Sequence, residues 1–187
     1  MHIAAVKWGN KYTSDQVNAL KRMCDRNFDH PFICYTDDPI GLECQWRRLP
    51  QGMRGWWNKV YLFEVGDLLY FDLDVVILRG FDVPETFTMA RDAWSPGGNS
   101  SVMYIPPGME WVYRMFPGPN WPGDQDYINE VTEPAYFRRV VSFKGTISET
   151  PFQWKGEIPP MPDADVVFFH GNPRPWEVGG WVERHYG

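Results

Sequence analysis

An open, largely parallel α/β sheet flanked by helices is the fold the sequence predicts, on three observations. Short apolar runs rich in strand formers alternate with stretches of helical spacing, no neighbouring runs show the alternation of a hairpin, and charged or aromatic residues stand at the ends of the apolar runs. In such sheets ligands bind beyond the carboxyl ends of the strands, where Trp8, Asp37 and Asp72 fall.

The elements follow in order. Residues 3–8 read as a buried first strand, and residues 14–28 as a helix with Val17, Leu20 and Met23/Cys24 at helical spacing. Residues 31–35 read as a second strand ending in Thr36-Asp37-Asp38-Pro39, residues 43–49 as a short third strand, and residues 58–65 as a short helix. Residues 68–71 return to the sheet. In the second half, Pro/Gly clusters at 95–98, 106–108 and 117–123 mark loops; residues 101–105 read as a strand, 109–116 and 124–131 as short helices, and 165–169 as a last buried strand running into His170.

The most telling stretch is Leu68 to Leu78, in which Asp72 and Asp74 interrupt an apolar run. Strand side chains alternate faces, so the two carboxylates are expected to point the same way. At the end of a buried strand they need hydrogen bonds, a cation, or both. With His170 they offer two carboxylates and an imidazole, a set that leaves positions open on an octahedral Mn²⁺ or Mg²⁺ for a substrate diphosphate. Arg174 adds a forked donor for the same oxygens. Taken singly, each piece has a plainer reading: His170 as a histidine capping a strand end, Arg174 as a surface cation, and Asp124-Gln125-Asp126 as a helix start whose acids favour the dipole.

Composition bounds the rest. A chain of 187 residues is expected to form one domain over 1–187, and 43% hydrophobic residues argue against a mostly disordered chain. A net charge of -6 and a pI of about 5.2 speak against a general grip on nucleic acid. Cys24, Cys34 and Cys44 lack a C-x-x-C spacing and suit free, buried thiols in a reducing compartment. The start of the chain is too quickly polar for a secretory signal, and no apolar window is long enough to span a membrane, so a soluble, cytoplasmic protein is expected. Ten Trp serve as core bulk or as platforms for sugar rings and bases.

In order along the chain, Thr36-Asp37-Asp38, Asn58-Lys59, Tyr70-Phe71-Asp72-Leu73-Asp74, Asn99-Ser100-Ser101-Val102-Met103, Asp124-Gln125-Asp126-Tyr127-Ile128-Asn129 and His170-Gly171-Asn172-Pro173-Arg174-Pro175-Trp176 resemble the motifs of the GT-A glycosyltransferases. The resemblance is to the retaining group that includes glycogenin and bacterial lipopolysaccharide galactosyltransferases, family eight, and runs from the first strand to Trp176. It implies a GT-A-like open mixed, mostly parallel sheet of the nucleotide-diphospho-sugar transferase type. It also implies transfer of a sugar from a nucleotide-diphosphate donor, UDP favoured, to an acceptor hydroxyl that the motifs leave unspecified.

By the same resemblance Asp72, Asp74 and His170 would hold Mn²⁺ or Mg²⁺, and Arg174 would neutralise the leaving group. Asp37 and the turn from Asn10 to Tyr12 would hold the nucleoside, with Tyr12 as a stacking ring. Asn58 and Lys59 would reach phosphate or sugar, and Asn99, Asp124 and Gln125 would hold the sugar hydroxyls. In a retaining reaction the departing phosphate itself takes the acceptor proton while Gln125 supports the oxocarbenium-like transition state; inversion would need Asp124 or Asp126 as general base. Arg174 stands where the group has lysine, Ser101 where it has glycine, and Asn10 where it has an acid. Three other readings compete: a carbohydrate-binding module using Trp56, Trp57, Trp94 and Trp121 with a structural Ca²⁺, a non-catalytic nucleotide-sugar-binding relative, and a nucleotidyltransferase, which normally carries a glycine-rich phosphate loop where this chain has Gly9 alone.

Overall fold

The computed structural model describes residues 1–146 and 156–187. Strand β1 (His2–Lys7) leads to α1 (Ser14–Asn27), β2 (Phe32–Thr36) and β3 (Gln45–Arg48). A 3-10 helix (Gly55–Tyr61) runs into α2 (Leu62–Val65), followed by β4 (Leu68–Phe71), β5 (Val75–Ile77), β6 (Thr88–Arg91) and β7 (Gly98–Ile105). Then come α3 (Glu110–Arg114), α4 (Asp124–Val131), β8 (Ala135–Tyr136), β9 (Val140–Ser142), β10 (Val166–Phe168) and α5 (Trp181–His185).

Seven strands form one sheet in the order β3-β2-β1-β4-β7-β6-β8, and β5-β10-β9 form a second, three-stranded sheet. Strand β1 pairs in parallel with β2 on one side and β4 on the other, with Ala4 opposite both Ile33 and Tyr70. Strand β7 runs antiparallel to both β4 and β6. The expected open mixed, mostly parallel sheet is therefore present; its antiparallel pairs β4–β7 and β6–β7 carry no alternation in sequence because Gly98 to Ile105 is buried along its whole length.

The strand period sorts the core onto the two faces of the sheet. Ile3 and Ala5 of β1, Leu69 and Phe71 of β4, and Val102 and Tyr104 of β7 pack with Val17, Leu20 and Met23 of α1 and with the small sheet. Ala4, Leu68, Tyr70, Met103 and Ile105 face the other way, against Leu62, Phe63, Val112, Tyr127 and Ile128 of α2, α3 and α4. Helix α1 starts on a capping box in which Thr13 accepts from Asp15 N and Gln16 reaches back to Thr13 N. This sharp start fixes Tyr12, the residue before the cap, beyond the carboxyl end of β1.

Two expectations are corrected in detail. Residues 58–65 are not one helix but a 3-10 segment followed by a single α-turn. Asp72 and Asp74 do not extend a strand: they occupy the turn between β4 and β5, which belong to different sheets. Strands β6, β8 and β9 and helix α5 had no clear sequence signal, each being five residues or fewer. All three cysteines are free, and burial raises each thiol, Cys34 to about 12. Among the described residues no helix is long and apolar enough to cross a membrane.

Candidate functional site

A cavity of about 390 Å³ lies beyond the carboxyl ends of β1 and β4. Strand β1 delivers Trp8 and, past a turn at Gly9 with φ of +64°, Asn10 and Tyr12. The β4–β5 turn delivers Asp72 and Asp74, the 3-10 helix Lys59, and β7 Asn99 and Ser100. Asp124 and Gln125 enter at the start of α4, and His170 and Arg174 from the segment after β10. The sequence singled out eleven residues for cation or donor, and nine of them line this cavity.

Lys59 sits at the centre of the acids. Its Nζ lies 2.9 Å from Asp72 Oδ1, 3.2 Å from Ser100 Oγ and 3.7 Å from Asp124 Oδ2. Burial alone would lower its pKa, but the carboxylates of Asp124 and Asp72 together outweigh that and hold the ammonium charged. The Tyr70 hydroxyl donates to Asp72 from the same side of β4, two residues back, and burial followed by the Asp72 charge pushes that phenol up. Asp124 is buried, and its Oδ2 has no hydrogen-bond partner. Burial raises its pKa against the opposing charge of Lys59.

Asp74 belongs to a second group. Arg174 Nη1 and the Tyr12 hydroxyl both donate to its Oδ2, and Arg174 also bonds the Tyr12 oxygen at 3.1 Å. Burial and the neighbouring charge of Asp72 lift the Asp74 carboxyl to about 6 against the pull of Arg174. The Tyr12 phenol is raised by burial and then by Asp74 and Asp72, so it stays a donor. Its ring meets Trp176 edge-on at 6.0 Å.

His170 stands apart from both groups although it lines the same cavity. Its Nε2 is 2.6 Å from Ser142 Oγ, and its ring packs on Trp94 with centroids 4.4 Å apart. Ser142 lies opposite Phe168 in the β9–β10 ladder, so the imidazole is anchored across the small sheet. Burial, then the charge of Lys144, lower its pKa to about 4, which leaves the ring neutral at physiological pH.

Among the described residues no three His, Cys, Asp or Glu side chains converge as a metal-holding group. In the structure Asp72 faces Lys59, Asp74 faces Arg174, and the imidazole of His170 faces Ser142. In kind, the set still suits a hard divalent cation, with two anionic oxygen donors on one cavity wall and a neutral imidazole on another.

Two of the expected site residues lie outside the cavity. Asn58 does not reach the cavity; it is fully buried, with its amide donated to Gly55 O at 2.9 Å. A 3-10 turn separates neighbours by about 120°, so Lys59 pointing inward sends Asn58 away. Asp37 is exposed outside the cavity, and both of its oxygens accept from Gly9 N at 3.2 Å, so it holds the turn after β1. Asp126 is likewise exposed and outside the cavity, on the far side of α4 from Asp124. Asn99 lines the cavity with its amide tied to Asp92 Oδ2 at 3.1 Å and Ser101 N at 3.0 Å.

Sequence reasoning assigned no role to Ser100 or Tyr70. The period of two was the available signal for Tyr70, because it places that ring on the same side of the chain as Asp72. Of the four Trp that a sugar-binding module would use, Trp57 stacks on Phe116, Trp121 packs on Tyr127 and Trp94 on His170. Trp56 alone among these four is exposed, at 53%.

No protein-family model matches the chain, and no curated protein matches it in sequence. Among solved structures it is similar to the glycosyltransferase GlyE of Streptococcus pneumoniae TIGR4, with a TM-score of 0.68 and 15% identity over 98% of this chain and 60% of GlyE. A glycosyltransferase involved in the glycosylation of the major capsid of PBCV-1 matches with a TM-score of 0.50 and 9% identity, over 90% of this chain and 93% of that one. The chain thus spans about three-fifths of the length of GlyE. Its mixed, mostly parallel seven-stranded sheet with flanking helices is a fold that glycosyltransferases use.

Proposed function

We propose that the chain is a glycosyltransferase that moves a sugar from a nucleotide-diphosphate donor, UDP favoured, to an acceptor hydroxyl with retention of configuration. The observation that carries this reading is the single cavity at the carboxyl ends of β1 and β4, which gathers three carboxylates, an amide pair and two inward cations on a glycosyltransferase fold. The order of the motifs supports placing it with the retaining, glycogenin-like group.

In this reading Tyr12 and the turn at Asn10 bound the nucleoside side of the cavity. Asp72 and Asp74, with His170 turned from Ser142, would hold Mn²⁺ or Mg²⁺. When bound, that cation would neutralise charge on the departing diphosphate. Arg174 releases Asp74 and turns its planar fork to phosphate oxygens. Lys59 keeps Asp72 and Asp124 in place, and Asn99, Asp124 and Gln125 accept or donate to the sugar hydroxyls. Gln125, a neutral amide, borders the anomeric carbon without becoming a nucleophile. The acceptor proton goes to the leaving phosphate oxygen on the same face of the sugar.

The test is to incubate the purified protein with Mn²⁺ and a panel of nucleotide sugars and to follow release of nucleoside diphosphate. Calorimetry with the preferred donor then separates the residues. Asp74→Asn and His170→Ala are expected to abolish metal-dependent binding, while Trp181→Phe, outside the cavity lining, retains it. Unchanged affinity in Asp74→Asn would remove the proposed cation site.

A further inference from the structure

Asn129, on α4, is a residue to which the donor chemistry gives no part. It lies outside the cavity lining, one helical turn after Gln125, and its amide makes three hydrogen bonds. Oδ1 accepts from Gly98 N at 2.7 Å, and Nδ2 donates to Gly98 O at 2.7 Å and to Gln125 O at 2.8 Å. An amide that meets both the N–H and the C=O of one residue does what a neighbouring strand would do. Strand β4 pairs with β7 only from Val102 to Ile105, which leaves Gly98 with β6 alone as a strand neighbour, and Asn129 supplies a further set of backbone partners. The approach is close: a Cβ on Gly97, where φ is +109°, would meet Asn129 Oδ1 at 2.9 Å.

The clamp joins two walls of the cavity. Asn99 and Ser100 follow Gly98 on β7, and Asp124 and Gln125 open α4. Inside the cavity Lys59 ties the same walls through side chains, with Ser100 Oγ at 3.2 Å and Asp124 Oδ2 at 3.7 Å from its Nζ. Asn129 holds backbone instead, at Gly98 and at Gln125. The Asn99 side chain is bonded in turn to Asp92 and to Ser101 N, so its position follows the strand. Many asparagines that span two elements serve stability alone. This one is set apart by where its bonds end, on Gln125 itself and on the residue directly before Asn99.

Resting on the donor arrangement proposed above, we infer that Asn129 is a positioning residue for the transfer. It fixes the spacing between the side chains of Gln125 and Asn99, the two amides that border the donor sugar, without touching substrate.

The test measures release of nucleoside diphosphate from the preferred donor, and donor affinity by calorimetry, on the full chain. In Asn129→Ala, kcat should fall about tenfold to a hundredfold while donor Kd stays within about threefold, because nucleoside and diphosphate are gripped elsewhere. Asn129→Asp keeps an acceptor for Gly98 N but turns an oxygen toward two carbonyls, and its kcat should fall as far; it carries the test if circular dichroism shows Asn129→Ala unfolded. Thr132→Val removes a hydroxyl bonded to Ile128 O at 2.6 Å at the end of the same helix, so it loosens α4 without touching the clamp, and its kcat should match the wild type. Amide exchange gives a readout free of turnover: the Gly98 N–H should exchange at least about tenfold faster in Asn129→Ala than in the wild type or Thr132→Val. Unchanged kcat in Asn129→Ala, or a fall that Thr132→Val reproduces, overturns the inference. A wild type that turns over no donor sinks the transferase reading and the role in transfer together; faster Gly98 exchange then leaves the clamp standing, and unchanged exchange removes that too.

Discussion

Replacing Lys59 with Met removes the cation that three groups share while keeping the length and apolar stem of the side chain. Asp72 and Asp124 then face each other with the ammonium gone, and Asp124 is 5% exposed with one oxygen already lacking a hydrogen bond. Breaking a buried ion pair from one side costs about 3–5 kcal/mol, because the charge left behind is neither solvated nor paired. For a chain of this size each kcal/mol lowers the melting temperature by about 2–4 °C, so the loss is about 6–20 °C. Urea unfolding followed by tryptophan fluorescence gives the same quantity as a lower midpoint at unchanged slope. Adding Asp124→Asn to Lys59→Met should restore about 1–3 kcal/mol of it, since the stranded charge is then gone. A Lys59→Met protein that loses less than about 1 kcal/mol, with no rescue in the double variant, would refute the claim that this lysine holds the acids together.

Other perturbations address separate parts of the molecule. Arg174→Lys keeps the charge but loses the fork, and donor affinity measured by calorimetry should fall about tenfold. His2 donates to or accepts from the Tyr35 hydroxyl at 3.0 Å, and burial, followed by the N-terminal ammonium, lowers its pKa. A lowered histidine pKa means that the unfolded chain binds the proton more readily. Stability relative to His2→Gln should therefore be greatest above the ordinary value of about 6.5 and decline as pH falls below it, as urea midpoints across pH 5–8 would reveal. A pH-independent difference would contradict that assignment. Gly80→Ala would place a Cβ 2.2 Å from the backbone oxygen of Asn27, and thermal melts should report a loss of about 1–3 kcal/mol.

Much of the sheet was legible because its chemistry is local. The apolar runs of β1, β2 and β4 are buried nearly throughout, as strands covered on both faces must be, and the spacing of Val17, Leu20 and Met23 marks the buried face of α1. Strands β8 and β9 are two and three residues long and take their place only because β6 and β10 offer them backbone partners. That kind of dependence has no signature in a window of sequence.

In the site, residue type was legible and orientation was not. Asp72, Asp74, Asp124 and His170 were identifiable as costly or reactive groups at the ends of apolar runs. Neighbours such as Asn58 and Lys59 look equivalent in sequence, yet a tight 3-10 turn sends one into the protein and the other to the cavity. Asp124 and Asp126 separate in the same way, because two residues of α-helix amount to roughly half a turn.

By itself, then, the amino-acid order settled the class of fold, the strand ends that border the cavity and the acids worth attention, since these depend on period and on the cost of burying charge. The tertiary structure decided which cation faces which acid: Lys59 meets Asp72 and Asp124, Arg174 meets Asp74, and His170 turns to Ser142. Those pairings join residues up to 100 positions apart, and only the packing of two sheets and a 3-10 helix brings them within reach.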